Sequence, residues 1–262
     1  MTKERILAQS LAIRTFPTFE VQDIVSKFHL TTHDEVAKFK SNITEWLCPT
    51  VDLSSFSHLY FTNGITEGMN YWMWQETRAI KMANDDYQWV SGTASGDVLY
   101  LSNPASYDGN FVDIPTDIPV VLDLAYIGSS TPRKIEIPDN VERVFFSLSK
   151  TFGLRNYRIG YCWTRVPDRR LSLLQDSAKY YNYHSVGLGE AIIDRFDVDT
   201  VYNKLLKYQI QVCDELRLTA SDVLWLATSP DPAYQKFFRN HTNRLCIADL
   251  IKEKYYADTN CL

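Results

Sequence analysis

The chain has no run of lysine and arginine, no pair of cysteines in a C-x-x-C arrangement, no apolar stretch approaching a membrane span, and no internal repeat or low-complexity segment. Each absence excludes something. Nucleic acids and anionic membranes need a basic face to neutralise phosphates, and 27 lysines and arginines against 32 aspartates and glutamates leave a net charge of −5. Small molecules are the expected ligands. The five cysteines, Cys48, Cys162, Cys213, Cys246 and Cys261, are odd in number and far apart. They point to neither a disulfide framework nor a zinc site, and they fit a reducing cytoplasm. The histidines show no metal-ligand spacing. Met-Thr-Lys-Glu-Arg-Ile at the start has no long apolar run behind it, so no targeting signal is expected.

What is present is the composition of an ordinary globular protein: 262 residues, 45% hydrophobic and 23% charged, enough to bury a substantial core. Apolar residues recur at helical spacing in three groups: Ile6, Leu7 and Leu11; Val21, Ile24, Val25 and Phe28; and Val36, Phe39, Ile43 and Trp46. Pro17 and Thr31-Thr32-His33-Asp34 separate the groups. A strand over His58 to Thr62 then meets Asn63-Gly64, and a helix is expected from Thr66 to about Met82. Strand-like runs follow at Val98–Leu101, Val120–Leu122, Val144–Phe146 and Arg158–Trp163. Long helices are expected from Pro167 to about Tyr183 and from Asp199 to Leu218. The tail shows Val223–Leu226, an amphipathic piece around Tyr234–Phe238, and a strand-like Arg244–Ala248. This order suits an α/β large domain with a mostly parallel sheet and a small C-terminal α+β domain. The expected division is a helical arm over 1–50, a large domain over 51–185 and a small domain over 186–262.

The most telling stretch is Val144-Phe-Phe-Ser-Leu-Ser-Lys-Thr-Phe-Gly-Leu-Arg-Asn-Tyr-Arg-Ile-Gly160. It sets Lys150 three residues after Ser147 and eight before Arg158. A strand that breaks at Ser-Leu-Ser-Lys presents an amine at its edge, and Gly153 and Gly160 let the chain turn and re-enter the sheet. The segment resembles the lysine segment of the fold type I pyridoxal-phosphate (PLP) enzymes, in particular the class I/II aminotransferases, written Ser-x-Ser-Lys-x-Phe-Gly and then Arg and Gly.

Four further stretches resemble that family in its order. Phe61-Thr-Asn-Gly-Ile-Thr-Glu-Gly68 looks like the family's phosphate loop, and Gly64, Ile65 and Thr66 at a helix start would hold the cofactor phosphate together with Ser147 and Arg158. As bare sequence it is also a turn before a Thr-capped helix. Val120-Val-Leu-Asp-Leu-Ala-Tyr126 would supply Asp123 to the pyridine nitrogen and Tyr126 to the ring's phenolic oxygen. Leu101-Ser-Asn-Pro-Ala-Ser-Tyr-Asp-Gly109 lies where the family carries an asparagine against that oxygen. Alignment on Gly109 puts Ser106 there, whereas chemistry prefers Asn103. Arg244-Leu-Cys-Ile-Ala248 resembles the strand whose arginine clamps a substrate carboxylate. The family stacks an aromatic ring on the pyridine, for which Tyr87 and Trp89 are the candidates. Trp72 and Trp74 read as core or interface residues. His184-Ser185 could reach a partner's phosphate across a dimer interface, or the serine could cap a helix.

The resemblance therefore implies a homodimeric aminotransferase with pyridoxal 5'-phosphate on a Lys150 Schiff base, moving an amino group between an amino acid and an oxo acid. Decarboxylation, elimination or racemisation would use the same cofactor cup, and a non-catalytic PLP-binding module is a further alternative. The chain is shorter than is common in the family, and the expected losses are peripheral helices and parts of the small domain.

Overall fold

The computed structural model describes residues 13–28, 33–83, 86–87 and 89–259. The first helical group expected from the sequence, Ile6 to Leu11, and the break at Thr31-Thr32 lie outside them. The other two groups form α1 (Phe19–Lys27) and α2 (His33–Leu47). A central sheet follows, built from β1 (His58–Asn63), β2 (Ile80–Lys81), β3 (Val98–Ser102), β4 (Val120–Asp123), β5 (Val141–Ser147) and β6 (Ile159–Thr164), in the order β1-β6-β5-β4-β3-β2. Strands β2 to β5 pair in parallel, and β6 runs antiparallel to both β5 and β1. The sheet is therefore mostly parallel.

Neighbouring side chains along each strand go to opposite faces, as the two-residue period requires. Leu99 and Leu101 join one buried cluster with Phe61, Leu122, Val144 and Phe146, while Val98 and Tyr100 join a second with Tyr60, Val121 and Phe145. Burial on both faces is why these strands read as continuous apolar runs. Helix α3 (Ile65–Gln75) covers the second face through Ile65, Met69 and Trp72. Phe39, Ile43 and Leu47 of α2 belong to the cluster on the first face, together with residues of the C-terminal sheet.

That second sheet, β7 (Thr219–Ala220), β8 (Leu226–Ser229), β10 (Thr242–Cys246) and β9 (Phe238–Arg239), is antiparallel, in the order β7-β8-β10-β9. Leu226 and Leu245 from it share one cluster with Val144 and Phe146 of the central sheet.

Several element boundaries differ from the sequence reading. Helix α3 stops at Gln75 instead of near Met82, because the Glu76 carboxylate accepts the Thr77 and Arg78 amides at 3.0 Å and also holds the Arg78 guanidinium. That turn sends the chain into β2. The long helix expected from Pro167 is broken into α5 (Arg169–Ser172), capped by Asp168, and a π turn over Leu173–Ser177; the short α4 (Leu148–Thr151) precedes it in the lysine turn. Lys179, at a φ of 54°, then reverses the path before α6 (Tyr183–Ile193). Helix α7 (Thr200–Leu216) lies as expected. In the tail, the strand begins at Leu226 while Val223 makes only an isolated bridge to Ser130. The Tyr234 region is a 3₁₀ turn, and α8 (Ala248–Thr259), which was not foreseen, follows β10. Among the described residues no helix is long and apolar enough to cross a membrane.

Candidate active site

The parallel strands end on one side of the sheet, and the residues leaving those ends converge there. Register makes this concrete: Ser102 at the end of β3 pairs with Asp123 at the end of β4, which pairs with Phe145 two residues before the end of β5. Gly64, Ile65, Thr66, Tyr87, Ser106, Asp123, Tyr126, Ser147, Lys150, Arg158 and Arg244 all line one cavity of about 310 Å³. Asn103 and Trp89 do not.

Gly64 joins β1 to α3 at a φ of 74°, and a Cβ there would sit 2.4 Å from the Arg158 guanidinium. Glycine is needed on both counts. The amides of Ile65 and Thr66 fall in the first turn of α3, where backbone donors have no helical acceptor and the helix dipole is positive. Arg158, itself left-handed at a φ of 54°, donates to the Asn63 carbonyl at 3.0 Å and closes this end of the cavity. The Ser147 hydroxyl plays a different part from the one expected. It donates to the Ile159 carbonyl at 2.7 Å and accepts the Ser149 amide at 3.0 Å, so its proton is committed to holding the lysine turn.

Lys150, on α4, donates to the Ile13 carbonyl at 3.1 Å. Burial pulls its amine down to about 8; Arg244 and Arg155 push the same way, while Cys246 and Asp123 oppose them. Asp123 accepts the Tyr100 hydroxyl at 2.7 Å and the Ala125 amide at 2.8 Å. Burial raises its carboxyl to about 6 despite those hydrogen bonds. Tyr126 is fully enclosed, and burial raises its phenol, which stays protonated beside the Ser106 hydroxyl. Tyr87, also raised by burial, lies beside the Thr66 hydroxyl. Arg244 is 3% exposed and donates to the Ser106 carbonyl at 2.9 Å, yet its Nε is buried with no hydrogen-bond partner.

The alternatives left by the sequence separate physically. The Asn103 side chain donates to the Val112 carbonyl at 3.0 Å and accepts the Val112 amide at 3.1 Å, tying two loop strands together away from the cavity. Of the two, Ser106 is the one that lines the cavity. Trp89 is 55% exposed, with its indole on Asn70, so Tyr87 is the aromatic at the site. Trp72 is core, stacked on Tyr100, and Trp74 is exposed. Ser185 donates to the Tyr157 carbonyl at 2.7 Å, His184 stacks on Tyr157, and Asn182 caps α6, so this pair is packed within its own chain.

Sequence reasoning missed Asp86, which is fully buried and accepts the Ser102 amide at 3.2 Å, the Ser106 amide at 3.0 Å and the Ser102 hydroxyl. It holds the Ser102–Ser106 turn that in turn meets Tyr126 and Arg244. Arg155 and Arg239 also line the cavity unforeseen, as does Ser149, whose buried hydroxyl has no partner. Only the adjacency of Asp86 to Tyr87 offered a signal for any of them. Among the described residues no group of histidine, cysteine or carboxylate side chains could hold a metal ion.

No family model matches the sequence, and no curated protein matches it in sequence. Solved structures do match in shape. Histidinol-phosphate aminotransferase from Sinorhizobium meliloti, crystallised with pyridoxal-5'-phosphate, superimposes with a TM-score of 0.60 at 14% identity, covering 97% of this chain and 95% of that one. The chain has the fold of the class I/II PLP-dependent aminotransferases. Two neighbours carry other activities on the same architecture. The PLP-bound C-S lyase from Staphylococcus hominis matches at a TM-score of 0.66 and 11% identity, over 95% of this chain and 89% of that one. L-threonine-O-3-phosphate decarboxylase from Porphyromonas gingivalis matches at 0.62 and 12%, over 94% and 98%. The fold is common to all three chemistries.

Proposed function

We propose that the protein is a pyridoxal 5'-phosphate enzyme that transfers an amino group between an amino acid and an oxo acid. One observation carries this reading: a lysine amine drawn down to about 8 and a buried carboxylate raised to about 6 share one cavity with a helix start and an arginine suited to a phosphate. The residues present fit the cofactor. Gly64 leaves the space that the Arg158 guanidinium occupies, the first-turn amides of α3 and Arg158 offer donors to a phosphate, and the cavity is of small-molecule size. When bound, PLP supplies the carbonyl for an imine and the electron sink that acidifies the substrate Cα proton.

The chain's own residues do the rest. Asp123, kept in place by Tyr100 and the Ala125 amide and raised to about 6, is largely ionised at neutral pH and would be the carboxylate to pair with a protonated pyridine nitrogen. Tyr126, its phenol raised by burial, keeps its proton and would offer a hydrogen bond to the ring's phenolic oxygen. Lys150, its amine drawn down to about 8 by burial, has an appreciable neutral fraction near pH 8 and would be the base positioned to hold the substrate Cα proton. The unpartnered Nε of Arg244 supplies a buried donor for the substrate carboxylate, while the Ser106 carbonyl fixes the guanidinium plane.

The homodimer belongs to the same proposal. Tyr71 and Trp74 of α3, with Arg170 over the Trp74 ring and Tyr180 exposed nearby, form an aromatic and arginine surface of the kind enriched in interfaces. Sedimentation of the purified chain reads its size directly.

Adding PLP, reducing with borohydride and mapping the adduct by mass spectrometry tests the central claim. The label is expected on Lys150 and absent from Lys150→Ala; a label elsewhere, or none, removes the proposal. Transfer of labelled nitrogen from an amino acid to a second oxo acid assigns amino transfer, whereas release of carbon dioxide or of an eliminated group assigns a sister reaction.

A further inference from the structure

The hairpin that carries Arg244 meets the loop that carries Ser106 at a second point, outside the cavity. Pairing of Arg239 with Thr242 leaves Asn240 and His241 as a two-residue turn between β9 and β10, with Asn240 left-handed at a φ of 51°. From that turn the His241 Nε2 lies 3.5 Å from an Asp108 carboxylate oxygen, and the Tyr107 ring meets the imidazole edge-on at 5.7 Å between centroids. On the inside, Arg244 donates to the Ser106 carbonyl at 2.9 Å. Two side chains of one hairpin thus reach one loop, and the chemistry just described uses the inner contact alone.

The outer contact is built around a sheltered anion. The Asp108 carboxylate accepts the Asn110 amide at 2.9 Å and Asn110 Nδ2 at 3.0 Å, and its own carbonyl accepts the Ser221 hydroxyl at 2.5 Å. Its side chain is 10% exposed against 60% for the imidazole, so the pair sits at a rim. The charged neighbours on each side can be named. Across the loop, burial raises the Asp86 carboxyl and Asp108 adds to the rise; burial and then both carboxylates raise the Tyr107 phenol, which stays neutral. The Asp222 carboxylate is engaged by the Phe111 amide at 3.0 Å, and Arg239, just before the turn, is the cation that opposes a second positive charge. A protonated imidazole gives Asp108 a charged donor. A neutral one has a single N–H and a lone pair on its other nitrogen.

Resting on the functional reading above, we propose that His241 is a positioning residue of the carboxylate site: protonated, it clasps Asp108, holds the hairpin against the loop and keeps Arg244 on Ser106. The consequence has a sign. As pH rises and the imidazole loses its proton, the clasp loosens and the site receives a carboxylate less well. A rim pair with one exposed partner is worth about 2- to 5-fold in an equilibrium constant.

Hydrogen exchange of the full-length chain without added PLP reads the clasp directly. Peptides covering 103–112 are followed between about pH 5 and 8, with rates corrected for the intrinsic pH dependence of exchange. Protection in the native chain is expected to fall about 2- to 5-fold across that range. His241→Lys, which keeps its charge throughout, should hold the protected level, and His241→Gln the less protected one. A native profile that coincides with that of His241→Gln, or a His241→Lys profile that falls as the native one does, overturns the proposal. Propionate, titrated by NMR as a carboxylate probe, should bind about 2- to 5-fold more weakly to His241→Gln than to His241→Lys, with binding lost in Arg244→Gln. Equal binding to the two His241 variants, or none to any chain, rejects the link to the carboxylate site. Neither measurement needs the cofactor, so failure of Lys150 to take the borohydride label would remove the functional reading while these profiles still decide the clasp.

Discussion

The two walls of the cavity are built differently. One comes from the central sheet, where Asp123 and Lys150 follow the ends of the adjacent parallel strands β4 and β5, and Gly64 follows β1, which the antiparallel β6 separates from β5. The other comes from the small antiparallel sheet, where Arg239 and Arg244 project from a hairpin and are joined to the first wall by the Arg244 bond to the Ser106 carbonyl. The first wall works through backbone amides and side chains placed by where the strands of the central sheet end. The second works through long side chains whose aim depends on what they meet. A parallel sheet fixes relative positions through many hydrogen bonds, whereas an arginine's aim rests on one or two.

The strongest way to break the first wall is Lys150→Ala, which should lower turnover by about 10⁴-fold and abolish the reducible adduct, read by single-turnover kinetics and mass spectrometry. Because the amine titrates near 8, adduct formation in the native protein should quicken as pH rises through that value. On the second wall, Arg244→Gln should reduce kcat/KM by about 10- to 150-fold through weaker carboxylate binding, with the Lys150 label retained. Retention of label with loss of substrate affinity would show that the walls act separately.

Asp123 gives a sharper, pH-resolved comparison. Its carboxyl is raised from 3.8 to about 6 in the folded protein. The stability it contributes is thus fully present below the unfolded value and is lost as pH rises through about 6. Denaturant unfolding of the cofactor-free protein should show stability falling between about pH 4 and 6 by about 3 kcal/mol at most, and Asp123→Asn should flatten that fall. Asp86→Asn addresses the joint between the walls. By loosening the Ser102–Ser106 turn it should cost about 10-fold in substrate affinity, measured by KM, with Lys150 labelling preserved. The smallest effect is expected from Trp74→Ala, within about 0.5 kcal/mol for stability of the single chain, with any change in sedimentation marking the paired state.

The difference between the walls also explains what could be read from residues alone. Glycine after a strand, Asp after three apolar residues and Ser-Leu-Ser-Lys before a glycine are local patterns, and each lands on the cavity. The choices between Asn103 and Ser106 and between Tyr87 and Trp89 were not local. Asn103 is drawn away by Val112, nine residues on, and Trp89 turns to Asn70 on a helix. Ser147 has the expected position, but its hydroxyl proton goes to Ile159, a partner set by the β5–β6 pairing. Asp86 was invisible because its importance comes from three donors on a segment that begins sixteen residues away.

By itself the sequence determined five of the six central strands, the order of the chemical groups along them and the mostly parallel sheet, because apolar runs, glycine turns and the two-residue period act over a few residues. Only the tertiary structure decided which side chains enter the cavity, where Arg239 and Arg155 stand, and how burial moves Lys150 and Asp123 toward each other's titration range. Those outcomes depend on desolvation and on partners far apart in the chain, and neither is encoded in any short stretch of residues.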